Sequence, residues 1–388
     1  MRLIYPTPGR SPRIDTRCML LASLLCTSLF LAGCGVNGSD VEEKAERSHK
    51  ATLFKLRERP YGHLLLIDKD GKRKRYHLVK EGEKAPEKGR HIRVPVERIV
   101  CLSSTHAGNL LELKESEHIV GFPAKKYLYD QKLRKQMEEG RIASVGMQRN
   151  VNTERIVSLD PDILIDDGMS GKGSGTREKL KNFGIPTLDI LAWKEEHPLG
   201  RTEWIRVFGA LLGKEKAADS LFRLKAERYD SLCSLTARFQ KSPKVLCNAP
   251  HKGTWHVPGG KSYMARLIRD AGGKLPWPDN EASGGVPKSL EEVIAKSKDA
   301  DIWLNPGRVE SLKGLAAMDP RLKRFKPFSK GAVYNNDRRT EPGRGNDFWE
   351  SGPVQPARIL SDLIHILHPD KGKDEKLYYH RELPPKPE

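Results

Sequence analysis

Apolar positions in this chain come in short runs, and the order of the runs predicts its architecture. "GHLLLIDKDGKRKRYHLV", Gly62 to Val79, is two such runs about an Asp-Lys-Asp-Gly-Lys turn, which predicts a β-hairpin. Pro86, Gly89 and Pro95 then mark a linker. From Arg98 strands and helices alternate. "RIVCLSS" predicts a strand and His106 to Lys114 a helix, and "HIVGF" and "RIASVG" predict short strands. A helix starts at Asn152, followed by the strand "DILIDDG", the helix "TREKLKNFG" and the strand "PTLDILA". Gly200 to Gln240 holds no proline, and its apolar residues, Trp204, Phe208, Leu211 and Leu212 among them, recur at helical spacing. That predicts helix, broken near Gly213. After Pro243 the alternation resumes, with "KVLCNA", "DIWLN" and "GAVYN" as strands and "YMARLIRDAGG", "SLEEVIAKS" and "PARILSDLIHIL" as helices. The predicted fold class is α/β: two Rossmann-like lobes with mostly parallel sheets joined by a long helix, preceded by a small β-hairpin extension.

Two passages echo each other: "NTERIVSLDPDILIDDG" from Asn152 and "SLEEVIAKSKDADIWLNPG" from Ser289. Each opens on a capping residue, has a glutamate two positions later (Glu154, Glu291), and runs through an Asp into an apolar strand. Ser289 and Glu292 have capping-box spacing, which occupies Glu292 with the backbone and leaves Glu291 to point elsewhere. An acidic first turn is also favoured by the helix dipole alone, so local physics leaves the role of both glutamates open. Two similar lobes put the passages at equivalent positions.

Composition narrows the class. Of 388 residues, 37% are hydrophobic and 31% charged, with a formal charge of +18, so the chain is polar and basic but not of disordered composition. A basic balance suits an anionic partner or surface. No nucleic-acid module, interleaved basic and aromatic run or zinc-finger spacing is present, so no nucleic-acid partner is expected. Arginines precede the apolar stretch Met19 to Ala32, which is too short for a permanent membrane span and ends in "LAGC". This ending resembles a bacterial lipobox, which implies lipidation at Cys34 and a chain tethered to a membrane on the extracytoplasmic side. Cys101, Cys233 and Cys247 then remain, an odd number at wide spacing that makes neither a disulfide framework nor a metal cluster.

The lipobox, two α/β lobes, linking helix and paired acidic helix starts resemble the substrate-binding proteins of ABC importers for cobalamin, ferric siderophores and haem. The resemblance runs from about Val94 to Pro369 and is carried by "ERIVCLSSTHAGNLLEL", "NTERIVSLDPDILI", "GTWHVPGGKSYMARLIRDAGG" and "NDFWESGPVQPARILSDLIHILHP". It implies a monomeric binding protein, not an enzyme, with no cofactor of its own. It also implies that Glu154 and Glu291 dock on arginines of the two copies of a permease subunit, since a two-fold permease presents two like basic sockets. The organisation expected is a lipoprotein signal peptide at 1–33, a tether and hairpin at 34–95, an N-terminal lobe at 96–198, a linking helix region at 199–241 and a C-terminal lobe at 242–388.

A ligand between two α/β lobes lies at the carboxyl ends of strands. The loops there nominate Ser104, Thr105, His106, Met147, Arg149, Trp193, His251, Lys252, Trp255, His256, Asn305, Arg338, Arg339 and Trp349 as ligand-binding residues. The tryptophans suit a flat ligand, and the arginines and Lys252 suit carboxylate, phosphate or catecholate. The basic loops favour an anionic iron chelate, while the branch resembled favours a corrinoid. His106, His251 and His256 are candidate axial ligands to haem iron or corrinoid cobalt. The chain lacks GxSxG, GxxxxGK[ST] and HExxH, and "GKGSG" at Gly171 lacks the ending of a phosphate loop. The alternatives left are a periplasmic tetrapyrrole metal chelatase and a surface scavenger of the same ligands that needs no permease.

Overall fold

The computed structural model describes residues 49–146, 150–168, 175–341, 343, 345–371 and 376–386. Cys34, Met147 and Arg149 lie outside the described residues. Two α/β lobes follow a four-stranded sheet, as the alternation predicts. The expected hairpin is β2 (Gly62–Lys69) and β3 (Lys72–Lys80), turning on Asp70 and Gly71, both at positive φ, the backbone that a two-residue hairpin turn requires. β1 (Phe54–Arg59) pairs antiparallel with β2, and β4 (Arg90–Val94) pairs parallel with β3, so part of the expected tether and linker is strand.

The first lobe is a parallel sheet in the order β7 (Ala143–Ser144), β6 (Ile119–Phe122), β5 (Ile99–Cys101), β8 (Ile163–Asp166), β9 (Thr187–Asp189). Helices α1 (Ser104–Glu112), α2 (Gln131–Glu138), α3 (Thr153–Ser158) and α4 (Thr176–Asn182) connect it; α2 was not foreseen. The connection to the second lobe is three helices, α5 (Pro198–Glu203), α6 (Ile205–Leu212) and α7 (Glu215–Thr236). The break falls at Gly213, whose left-handed backbone caps α6. α6 and α7 pack so closely that a Cβ on Gly209 would lie 2.4 Å from that of Ala218.

The second lobe orders its sheet β10 (Val245–Cys247), β13 (Ile302–Leu304), β14 (Val333–Asn335), β15 (Arg381–Glu382), with only β15 antiparallel. β11 (Trp255–Pro258) and β12 (Gly285–Lys288) form a separate antiparallel pair, and α8 (Tyr263–Asp270), α9 (Leu290–Ser297), α10 (Leu312–Met318), α11 (Lys326–Ser329), α12 (Asp347–Glu350) and α13 (Pro356–Leu367) complete the chain. Residues His49–Glu388 form one compact unit. Among the described residues no helix is long and apolar enough to cross a membrane.

The echoed passages are one device built twice. In the first lobe the amide of Asp162 donates to the carbonyl of Arg98, and its carboxylate accepts from the Arg98 amide at 2.8 Å, just before β5. In the second lobe Asp301 does the same to Lys244, just before β10, with the return bond at 2.9 Å. Each Asp thus pins the entry of its lobe's first strand to the strand beside it. The helices upstream are capped as expected: Asn152 accepts from the Arg155 amide, and Ser289 and Glu292 form a capping box that leaves Glu291 outside it.

The N-terminal sheet packs on the body through buried carboxylates. Glu195, 1% exposed, accepts from the Thr52 amide and hydroxyl (both 2.9 Å), the Leu53 amide (3.0 Å) and the Trp204 indole (3.2 Å). Glu203 accepts from the Lys50 and Ala51 amides. Phe54 lies against Trp204, ring centroids 4.7 Å apart. At the hairpin tip Lys69 and Lys74 reach Asp189, fully buried at the end of β9. Burial works against the Asp189 carboxylate, but Arg177 and then Lys74 outweigh it and hold its pKa far below the usual range.

Candidate ligand-binding site

Each parallel strand of the second lobe finishes on asparagine: "VLCN", "IWLN" and "VYN". Asn248 and Asn305 take left-handed backbone, which asparagine tolerates better than most residues. The three side chains border a cavity of about 1250 Å³, larger than the roughly 300–1,000 Å³ of ordinary small-molecule pockets. Its walls draw on the N-terminal segment (Thr52, Leu53), the first-lobe side (Tyr127, Trp193, Arg201) and the second lobe (Tyr263, Met264, Arg308, Trp349), so it lies between the lobes.

Several buried polar atoms on this lining have no partner among the described residues: Oδ1 of Asn305, Oδ1 of Asn335 and the hydroxyl of Tyr263. A buried polar group left unbonded costs about 1–3 kcal/mol, so these atoms favour an occupant that bonds them. Asn335 is fixed by its amide, which donates to Gly307 O at 2.7 Å and to Asp337 at 2.9 Å. Arg201 lies 3.7 Å from the Tyr263 ring centroid and donates to the carbonyls of Trp193 and Glu195. Burial pushes the Tyr263 phenol up to about 12. Trp193 and Trp349 remain 39% and 51% exposed, apolar surface turned to the cavity. Trp193 is held by its indole on Asp167 O, and Trp349 by the Thr105 hydroxyl on its carbonyl.

Of the residues the sequence nominates, Trp193, Asn305 and Trp349 line the cavity. The others described do not. Ser104, Thr105 and His106 form the first turn of α1 rather than a loop. His106 is buried, and that burial pulls its pKa down to about 4. His251, Lys252 and His256 are exposed outside the cavity, so among the described residues no histidine lines it as an axial ligand. Trp255 is not a cleft residue: it is fully buried in the second-lobe core, stacked on Trp303 at 5.6 Å, because the expected loop includes strand β11. Arg338 bonds Leu377 O. Arg339 pairs with Asp347 at 2.6 Å and lies over the rings of Tyr129 and Tyr378. The basic wall expected for an anionic chelate is therefore not formed by these side chains: the lining carries Lys194, Arg201 and Arg308 but also Glu196, Glu310 and Asp337. Missed were Asn248 and Asn335, which the strand-ending asparagine pattern signals, and Arg201 and Tyr263, which sit on helices.

α12, which carries Trp349, also ties the far segment to the first lobe. Glu350 accepts from the Tyr129 and Asp130 amides at 2.8 and 2.9 Å, and burial pushes its carboxyl up to about 7 against those two bonds. Gly108 permits the approach of α1, since a Cβ there would lie 2.0 Å from Glu350 O. Outside the cavity Glu154 and Glu291 are both exposed; Glu291 meets Arg321 at 2.7 Å.

The sequence profile of the family described as periplasmic binding protein matches residues 99–338. An uncharacterized lipoprotein of Methanocaldococcus jannaschii is 27% identical over 76% of this chain and 71% of its own. A cobalamin-binding protein of Halobacterium salinarum is 25% identical over 57% of each chain. Among solved structures, a periplasmic heme binding protein of Pseudomonas aeruginosa shares the fold with a TM-score of 0.56 at 19% identity, covering 74% of this chain and 98% of its own.

Proposed function

The chain belongs to the periplasmic binding protein family, and from that premise we propose that it is the lipid-anchored substrate-binding protein of an ABC importer. It captures a corrinoid, haem or ferric chelate between its lobes and hands it on unchanged. The observation that carries this is the interlobe cavity with its three strand-ending asparagines and unpaired acceptors. A wall of amides and aromatic rings with balanced charge suits a large, flat ligand that carries its own amides, so a corrinoid is favoured over a carboxylate-rich ferric chelate. The cobalamin-binding protein among its relatives supports the same choice. Ferric haem is the second reading, favoured by the unpaired Tyr263 phenol against Arg201, an oxygen ligand for iron.

Glu154 and Glu291 are the proposed contacts to the permease, one on each lobe. The lipid anchor at Cys34 holds the carrier at the extracytoplasmic face of the membrane, in keeping with relatives named as lipoproteins.

The test is titration of the chain from Gly35 with cobalamin, cobinamide, haem and ferric siderophores, followed by tryptophan fluorescence, with the haem Soret band as a second signal. Trp193 and Trp349 on the lining make quenching the expected readout. Saturable one-to-one binding of an unchanged corrinoid, weakened about tenfold by Asn305→Gly, supports the proposal; the glycine keeps the left-handed backbone and removes one bonding group. No binding to any of these ligands, or metal insertion into a free tetrapyrrole, overturns it.

A further inference from the structure

The N-terminal sheet has a second face that none of the core clusters claims. Its β3–β4 end is crossed by the 81–89 connection, where Val79 is buried and Arg93 donates to Glu83 O, and the rest carries basic side chains. Phe54, Leu65, Ile67, Tyr76, Leu78 and Ile92 belong to the main core and define the inner side. The register sets what lies opposite. Lys55 pairs with Leu66 and Leu66 with Arg75; Arg57 pairs with Leu64 and Leu64 with His77; Val79 pairs with Arg93. Strand alternation places these residues on the outer side, and Lys55, Arg57, Arg59, Arg75 and Arg93 are all exposed there. Leu64 and Leu66 run between the basic rows and belong to none of the core clusters. Between Phe54 and Val94 the chain has 13 lysines and arginines against 6 acids, so the excess is a property of the element and not of one row.

A face with rows of exposed arginines and lysines repels its own copies and attracts an extended anionic surface. Only 14 residues, 35–48, separate Cys34 from His49, where the described chain begins, and they reach at most roughly 50 Å. If Cys34 carries lipid, as the proposed function holds, this sheet follows the tether directly and is held within that reach of the bilayer. We propose that the outer face of the N-terminal sheet docks on anionic phospholipid headgroups and lays the protein against the membrane that anchors it. Guanidinium groups of Arg57, Arg75 and Arg93 meet phosphates, while Leu64 and Leu66 sit among their stems.

The test uses the chain from Gly35 without lipid, floated with vesicles of phosphatidylcholine alone or with 30% phosphatidylglycerol. Binding to the anionic vesicles only, lost near 0.5 M salt where screening shortens to a few ångströms, is expected. The triple variant Arg57→Glu/Arg75→Glu/Arg93→Glu should weaken it on the order of a hundredfold or more. A charge-matched control, Lys179→Glu/Lys216→Glu/Lys323→Glu, changes exposed sites elsewhere and should weaken it no more than a few-fold. Unchanged ligand titration by the arginine variant shows that it is folded and keeps this outcome separate from the carrier reading. Where it does not fold, Arg57→Gln/Arg75→Gln/Arg93→Gln replaces it. Equal loss in both triple variants, retained binding in the arginine variant, or binding to a DNA duplex but not to vesicles each overturns the proposal.

Discussion

Replacing Glu195 by glutamine tests how the N-terminal segment is held. The carboxylate receives four donors, two on each oxygen: Thr52 amide and hydroxyl on Oε2, and Leu53 amide and Trp204 indole on Oε1. Glutamine keeps the shape but presents an NH2 to one of those pairs, whichever way the amide turns. The NH2 is best placed toward Thr52, whose hydroxyl can turn to accept from it. The Thr52 amide then loses its acceptor at about 1–3 kcal/mol and the Leu53 and Trp204 donors keep only a neutral one, offset in part because a neutral amide is cheaper to bury than a charge. The net expected loss is about 2 kcal/mol. Unfolding entropy near 2 cal/mol/K per residue over the roughly 340 residues of the unit from His49 to Glu388 converts this to a fall in Tm of about 3 °C. Urea titration followed by far-UV circular dichroism measures the free energy. Tryptophan emission adds a local signal, since Trp204 is fully buried and its indole exchanges a charged acceptor for a neutral one. A Glu195→Gln variant within about 0.5 kcal/mol of the wild type would refute the argument that this carboxylate fastens the segment.

Asp189 gives the pH dependence. Its folded pKa is depressed, so its stabilisation is complete above the unfolded value of about 3.9 and is lost as pH falls through the folded one. Urea midpoints of wild type should drop below about pH 4, and Asp189→Asn should be less stable at pH 7 yet show a shallower acid limb. Asp162→Ala and Asp301→Ala should each cost about 1 kcal/mol in the same assay, because each removes one side of the same paired clamp. Glu154→Arg and Glu291→Arg should leave ligand affinity unchanged and abolish uptake by cells or proteoliposomes carrying the permease. The Glu291 change also removes one of the two carboxylates that Arg321 meets, leaving Asp319.

The alternation of strand and helix was legible because a 2-to-3.6 switch in period survives in every βα unit, and the echoed passages were legible as equivalent positions. The Asp that makes them equivalent acts across 64 and 57 residues, on backbone the local pattern does not identify. β1 and β4 escaped notice under their charges, although Phe54, Leu56, Ile92 and Val94 alternate as strands do. β15 is two residues long and has no signal of its own; Asp362 gathers the amides of Tyr378, Tyr379 and His380 just before it. In the cavity Trp193 and Asn305 were found because they lie just after strands, and Trp349 because an aromatic in "FWESG" drew notice, although helix α12 carries it. Arg201 and Tyr263 were not, since their side chains reach the cavity from helices α5 and α8. Arg339 misled because a loop arginine looks free until its carboxylate and two rings are known.

Glu195 and its four donors bear on what the smallest heritable piece of this protein is. The recognisable family segment begins at residue 99 and ends at 338. Yet Thr52 and Leu53 wall the cavity in front of that segment, Phe348 and Trp349 wall it from behind, and β15 completes the second sheet. A gene fragment trimmed to the segment would expose Trp204, strand Glu195 and Glu203 without their amides and open two sides of the cavity. Recombination among relatives should therefore exchange these flanks together with the lobes they close, and swapping the middle alone should yield chains that fold poorly whatever their ligand.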